Sequence, residues 1–184
     1  ELVCNRENGR YANQIITEQT AFLITESLKS VIWGGGDWSK GTGWNGTAWR
    51  ASKLIKRHDI AGKTGTTNDY NDAWFTGFTP SMSTSVWIGY DKRNKIKDIN
   101  GVGITGGRGA APIWADFMIK ATAGDPMRDF VIPEDIKFET VNIKTGCITE
   151  GDMDMALRIA LHKNTTLCID KKEEINDSLQ VIEE

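Results

Sequence analysis

The stretch DIAGKTGTTNDYNDAWFTGFTPSMSTSVWIGYD, residues 59–91, decides the fold. It belongs to three runs that read as strands, about His58 to Thr67, Asp72 to Pro80 and Thr84 to Asp91. The links between them, NDYN and SMS, are of hairpin length, which predicts an antiparallel meander. Apolar residues fall on both alternating sides: Ala73 and Phe75 against Trp74 and Phe78, then Val86 and Ile88 against Trp87. That pattern predicts a sheet covered on both faces by helices. In the first run Lys63 and Gly65 face one way, and Thr64 and Thr66 the other. A glycine inside a strand weakens it unless something must approach the backbone closely. An ammonium beside that glycine and hydroxyls on the opposite side suit an extended, anionic, peptide-like ligand that pairs with the strand edge. An ordinary strand and turn is the competing reading.

Outward from this stretch, ITEQTAFLITESLKSVIW places Phe22, Ile24, Leu28, Val31 and Ile32 at helical spacing over 17–32. Thr17 can cap that helix and Glu18 suits its positive end. The following WGGGDWSKGTGWNGTAWRAS reads as a long glycine-rich loop. Its tryptophans, Trp33, Trp38, Trp44 and Trp49, argue that it packs over a surface, a position suited to roofing a cleft. The sequon Asn45-Gly46-Thr47 within it reads as chance. Beyond the charged loop DKRNKIKDING, the segment AAPIWADFMIKAT reads as a helix over 110–122, with Pro112 in its first turn. Ile113, Phe117 and Ile119 lie near one stripe of it. FVIPEDIKFETVNIKTG suggests one or two edge strands, and the last fourteen residues a charged tail. The organisation expected is thus a linker or the end of an earlier element over 1–16, a main unit over 17–123, an extension over 124–170 and a tail over 171–184.

Two glycine motifs invite nucleotide chemistry and fail the test of context. Gly62-Lys63-Thr64 ends like a P-loop, but Arg57 stands where that loop needs glycine. Gly101-Val102-Gly103-Ile104-Thr105-Gly106 matches GxGxxG, but DKRNKIKDIN before it is a poor buried strand. A mobile glycine-rich connection into the next helix is the preferred reading. A net charge of −3 gives no reason to expect nucleic-acid binding. His58 and His162 lie far from any cysteine at finger-like spacing, so no metal site is expected. Among Cys4, Cys147 and Cys168, a Cys147–Cys168 disulfide is conceivable in an oxidising compartment, but unpaired buried thiols are the simpler expectation.

AGKTGTTND, followed by DAWFTGFTP, VWIGYD and GGRGAAPIWADFM, resembles the C-terminal half of the transpeptidase domain of class A, bifunctional penicillin-binding proteins. The similarity covers about residues 10–123 and continues weakly through VNIKTG. The resemblance implies an α+β fold of the serine beta-lactamase and transpeptidase type, an antiparallel sheet covered by helices, with only its C-terminal portion present. It implies a peptidoglycan D,D-transpeptidase that cross-links stem peptides ending in D-Ala-D-Ala and is acylated by beta-lactams, with no cofactor. Lys63 would be the lysine of the KTG motif, supplying positive potential; Thr64 and Thr66 would bind the substrate carboxylate, and Gly65 would keep that substrate-binding edge open. The N–H of Thr66 would form half of an oxyanion hole. The family's SxxK and SxN motifs are not found, since Ser27, Ser39 and Ser52 are followed at i+3 by Ser30, Thr42 and Ile55. Both are expected upstream of Glu1, so the chain by itself is expected to be inactive and to pair with the upstream half of its own domain, or to self-associate. The implied location is the periplasmic face of the inner membrane, with the anchor elsewhere in the protein. A beta-lactamase or carboxypeptidase fragment, or an inert binding module of the same fold, are the alternatives.

Overall fold

The computed structural model describes residues 15–149 and 156–170. Helix α1 runs Glu18–Trp33, and the Thr17 hydroxyl accepts the amide of Thr20 at 3.2 Å, as the capping reading requires. Phe22 and Ile32 are its buried residues, whereas Ile24 is half-exposed. The tryptophan-rich segment is more ordered than a loop: it carries a one-turn 3-10 helix at Trp38–Lys40 and a short helix α2 at Trp49–Leu54.

Strands β1 (Ala61–Thr66), β2 (Asp72–Phe78) and β3 (Ser83–Gly89) form one antiparallel sheet in the order β1-β2-β3. Register pairs Lys63 with Thr76 and Thr76 with Ser85, and it pairs Gly65 with Trp74 and Trp74 with Trp87. The meander is therefore as the short links require. β1 starts three residues later than the sequence suggests, because Arg57 and Asp59 are committed to a buried ion pair.

Behind the sheet lies α3, Ala110–Ala121. Its Trp114 meets the ring of Phe75 edge-on at 5.0 Å. The indole fits because residue 77 is glycine: a Cβ there would come within 2.6 Å of the Trp114 ring. Ile32, Ala51, Ile55, Ile60 and Met118 complete this core. The buried stripe of α3 is Ala111, Trp114, Ala115 and Met118, which corrects the expected stripe: Ile113, Phe117 and Ile119 are the exposed residues. Large size did not settle the facing. The close approach of helix to sheet selects alanines beside one tryptophan.

Helices cover one face of this sheet. On the other, Trp74 and Trp87 stand at 44% and 46% exposure, beside a Thr76–Ser85 hydroxyl pair at 2.8 Å. Among the described residues nothing covers that face, in contrast to the two-sided covering expected.

The chain then forms a separate two-stranded sheet, β4 (Ile136–Asn142) with β5 (Ala156–His162). The sequence reading placed strands only up to VNIKTG and missed β5. Phe138 of β4 meets Phe22 of α1 edge-on at 6.3 Å. Cys147 and Cys168 form a disulfide, in place of the free thiols expected. The two segments are brought together by main-chain bonds, Ile148 N–H to Cys168 O at 2.8 Å and Asp170 N–H to Ile148 O at 2.8 Å. The expected linker over 1–16 lies almost wholly, and the tail over 171–184 entirely, outside the described residues. Among the described residues no helix is long and apolar enough to cross a membrane.

Candidate functional site

Among the described residues β1 is an end strand, paired only with β2 in its sheet. It is anchored at its start by Arg57 and Asp59. The guanidinium donates to both carboxylate oxygens, Nε to Oδ1 at 3.0 Å and Nη2 to Oδ2 at 2.7 Å. Its Nη1 donates to the carbonyls of Thr122 at 3.3 Å and Asp125 at 2.8 Å, while the Arg128 amide donates to Asp59 Oδ2 at 3.0 Å. Burial alone would raise the Asp59 pKa; Arg57 and the Arg128 amide outweigh it and hold the carboxyl below its usual range. This ties the start of β1 to the end of α3, so the strand leaves the core in a fixed direction.

Along β1 the side chains alternate as expected. Lys63 is exposed, and its Nζ donates to the Thr64 carbonyl at 2.8 Å, which places the ammonium at the rim of the strand. Thr64 Oγ1 lies 2.9 Å from Thr47 Oγ1. One of the two hydroxyls donates to the other, which leaves one O–H to donate outward. Thr66 Oγ1 accepts the Gly106 amide at 3.0 Å, so its own O–H also remains a donor. An ammonium, the Thr66 hydroxyl and the outward O–H of the Thr47–Thr64 pair thus gather at one strand end. That set matches a carboxylate.

Sequence reasoning missed Thr47, Gly106 and Gly107. Thr47 sits in the sequon dismissed as chance, and no local pattern ties it to a strand seventeen residues on. The glycine-rich segment is not a slack connector. A Cβ at Gly106 would lie 2.1 Å from the Trp74 carbonyl, and one at Gly107 1.9 Å from that of Thr47. Only glycine lets this backbone lie against β1 and β2. The same segment is braced by Asp98, which accepts from the Val102 amide at 3.0 Å, the Asn100 amide at 2.9 Å and Arg108 Nη2 at 2.8 Å. These bonds, that of Val102 foremost, hold the Asp98 carboxyl below its ordinary pKa.

Past Thr66 the chain turns tightly through Asp69 and Tyr70, both at positive φ (65° and 59°). A groove of about 690 Å³ opens there, lined by Thr66, Thr67, Asn68, Asn71, Asp72, Tyr90 and Arg93. It continues the line of β1, and an extended ligand paired along the strand would run into it. Among the described residues no cluster of His, Cys, Asp or Glu is arranged to hold a metal ion.

No family model matches the chain. The crystal structure of penicillin-binding protein 1A from Haemophilus influenzae superposes with a TM-score of 0.71 at 31% identity, over 88% of this chain and 22% of that one. PonA1, a penicillin-binding protein from Mycobacterium tuberculosis, superposes with a TM-score of 0.50 at 28% identity over 64% of this chain and 29% of that one. The fold is that of the penicillin-binding transpeptidases, an α+β arrangement with a helix-backed antiparallel sheet. In sequence, the chain is 44% identical to penicillin-binding protein 1A of Vibrio cholerae over 150 residues, and 36% identical to that of Escherichia coli over 160. Those matches take in 76% and 82% of this chain but 18% of each relative. Over the stretch it spans, the chain belongs to the penicillin-binding protein 1A family.

Proposed function

We infer that the chain is the KTG-bearing part of a peptidoglycan D,D-transpeptidase, and that β1 receives the D-Ala-D-Ala end of a stem peptide or a beta-lactam. The observation that carries this reading is the end strand itself: Lys63 Nζ at its rim, the Thr66 hydroxyl with an O–H left to donate, and one further O–H left to the Thr47–Thr64 hydroxyl pair. In this reading the Thr64 and Thr66 hydroxyls bind the terminal carboxylate, and Lys63 supplies positive potential. The Thr66 N–H stabilises the oxyanion as the serine, supplied from outside this stretch, attacks the carbonyl carbon. That attack releases the last D-Ala. The acyl group then passes to an amine on a neighbouring stem. Gly65 suits the role because it adds no side chain beside the incoming backbone.

The open Trp74–Trp87 face supports a second element of the reading, namely that the remainder of the domain packs there. The Cys147–Cys168 disulfide supports an extracytoplasmic setting, because such bonds persist in oxidising compartments.

Titration of the 184-residue chain with an N-acylated peptide ending in D-Ala-D-Ala, followed by amide NMR, tests the site. Shifts concentrated at Thr64, Gly65 and Thr66, and abolished in a Thr64→Val/Thr66→Val double variant, are expected. Shifts elsewhere with β1 silent would overturn the assignment. Fluorescent penicillin should leave no covalent adduct on the chain by mass spectrometry, and an adduct would contradict the placement of the serine.

A further inference from the structure

A second groove, of about 370 Å³, lies between α1 and β5, away from the solvent face of the main sheet. Two of its walls are indole rings, Trp33 and Trp44, at 42% and 36% exposure. The Trp44 ring is seated on backbone. Gly35 and Trp44 exchange main-chain bonds at 3.2 and 2.9 Å, and a Cβ at Gly35 would come within 2.3 Å of the indole. The WGGG run therefore has a packing reason: without side chains, it lets the ring lie against the chain and holds it in one orientation. A large aromatic surface held rigid and partly open to solvent is poised to stack on a ligand, because little conformational freedom is lost on contact.

The rest of the groove is polar at its rim. Ser27 and Ser30, one helical turn apart, donate their O–H groups to the Leu23 and Ser27 carbonyls, which leaves the hydroxyl oxygens to accept, and Glu26 is ion-paired with Lys29, which also lines the groove. The Arg158 guanidinium lies over the Phe138 ring, its Cζ 4.1 Å from the centroid, and Arg158 also lines the groove. Fixed aromatic rings bordered by hydroxyl, carboxylate and guanidinium groups are the chemistry of carbohydrate recognition. The C–H face of a pyranose packs on the ring, and its hydroxyl and acetamido groups bond to the rim. The segment that seats Trp44 leads within three residues to Thr47, whose hydroxyl touches Thr64 of the candidate site. A ligand in this groove is therefore tied through one short backbone segment to β1.

From this placement we propose that the α1–β5 groove is a subsite for the glycan backbone of peptidoglycan, with Trp44 as its stacking platform. This rests on the transpeptidase reading for the identity of the glycan, and it assigns the substrate's sugar strand a place distinct from that of its peptide.

The test is calorimetric titration of the 184-residue chain with two probes: the tetramer of β-1,4-linked N-acetylglucosamine, and peptide-free glycan strands released from peptidoglycan by an amidase. Saturable binding of both is expected. Trp44→Ala should weaken it about five- to tenfold, the size of a lost stacking contact, and Trp44→Phe should restore most of the affinity. Trp38→Ala, on the same segment but outside the groove, should leave affinity unchanged within about twofold, and circular dichroism of each variant checks the fold. No saturable binding of either probe, or binding indifferent to Trp44→Ala, overturns the proposal. So does a tryptophan fluorescence response confined to phosphatidylglycerol vesicles. The D-Ala-D-Ala titration reads a different site: glycan binding lost while β1 still responds would sink this inference alone, and the reverse would sink only the peptide reading.

Discussion

The two sheets of this chain are held together by different physics. The β1-β2-β3 sheet rests on a close-packed core in which Trp114, Phe75, Ile32 and Ile60 are almost fully buried. The β4-β5 pair has only Ile136 and Val141 below a tenth exposed, leans on α1 through Phe138, and is followed by a disulfide-closed segment. A two-stranded sheet is marginal by itself in water. The difference teaches where function can be built. The packed sheet can hold a strand end to a fixed position, as a carboxylate site demands, while the hairpin borrows its order from α1 and from a covalent bond.

The comparison is broken most severely at the core. Phe75→Ala should cost about 3–5 kcal/mol, because the cavity it leaves cannot close around Trp114. Denaturant unfolding should then lose both sheets together, since the hairpin has no core to survive on. Retained β5 protection in hydrogen exchange would show the hairpin to be independent.

Arg57→Ala should also cost about 3–5 kcal/mol, by leaving Asp59 buried and unpaired. The same pair sets an acid limit. Asp59 has a lowered folded pKa, so its contribution is complete above the ordinary aspartate value of about 3.9 and is lost as pH falls through the lower folded value. Stability measured from pH 7 downward should thus fall more steeply in the parent chain than in an Arg57→Met/Asp59→Leu variant of similar volume. Equal slopes would remove the pair from the account of β1.

Reducing the Cys147–Cys168 bond, or Cys147→Ser with Cys168→Ser, should cost about 2–4 kcal/mol. Hydrogen exchange should rise in β5 and around Ile148 while β2 stays protected, which sharpens the contrast between a stapled and a packed sheet. The smallest effect on stability belongs to Thr64→Val, about 1 kcal/mol from the lost Thr47 bond. Yet the D-Ala-D-Ala titration should respond to it more than to either cysteine change.

How far the site was readable differs residue by residue. The alternation of Lys63 and Gly65 against Thr64 and Thr66 follows from the period of a strand, and the structure reproduces it. Thr47 and Gly107 could not be read in the same way. Their roles rest on contacts between segments distant in sequence, and a glycine's need for close approach is invisible until its neighbour is known. The stripe on α3 failed for a related reason. Ile113 and Phe117 are as apolar as Trp114, and only the separation of helix and sheet decides which of them fits.

Taken by itself, the sequence determined what depends on neighbours along the chain: the capped helix after Thr17, the antiparallel meander imposed by short links, and the KTG strand with its resemblance to the penicillin-binding proteins. The tertiary structure alone decided which sheet face is buried, that Cys147 meets Cys168, and that Thr47 and Gly106 complete the rim of β1. It also decided that glycines seat Trp44 over the α1–β5 groove. Each of these is a distance between segments far apart in the chain, set by packing the whole core at once rather than by any local preference.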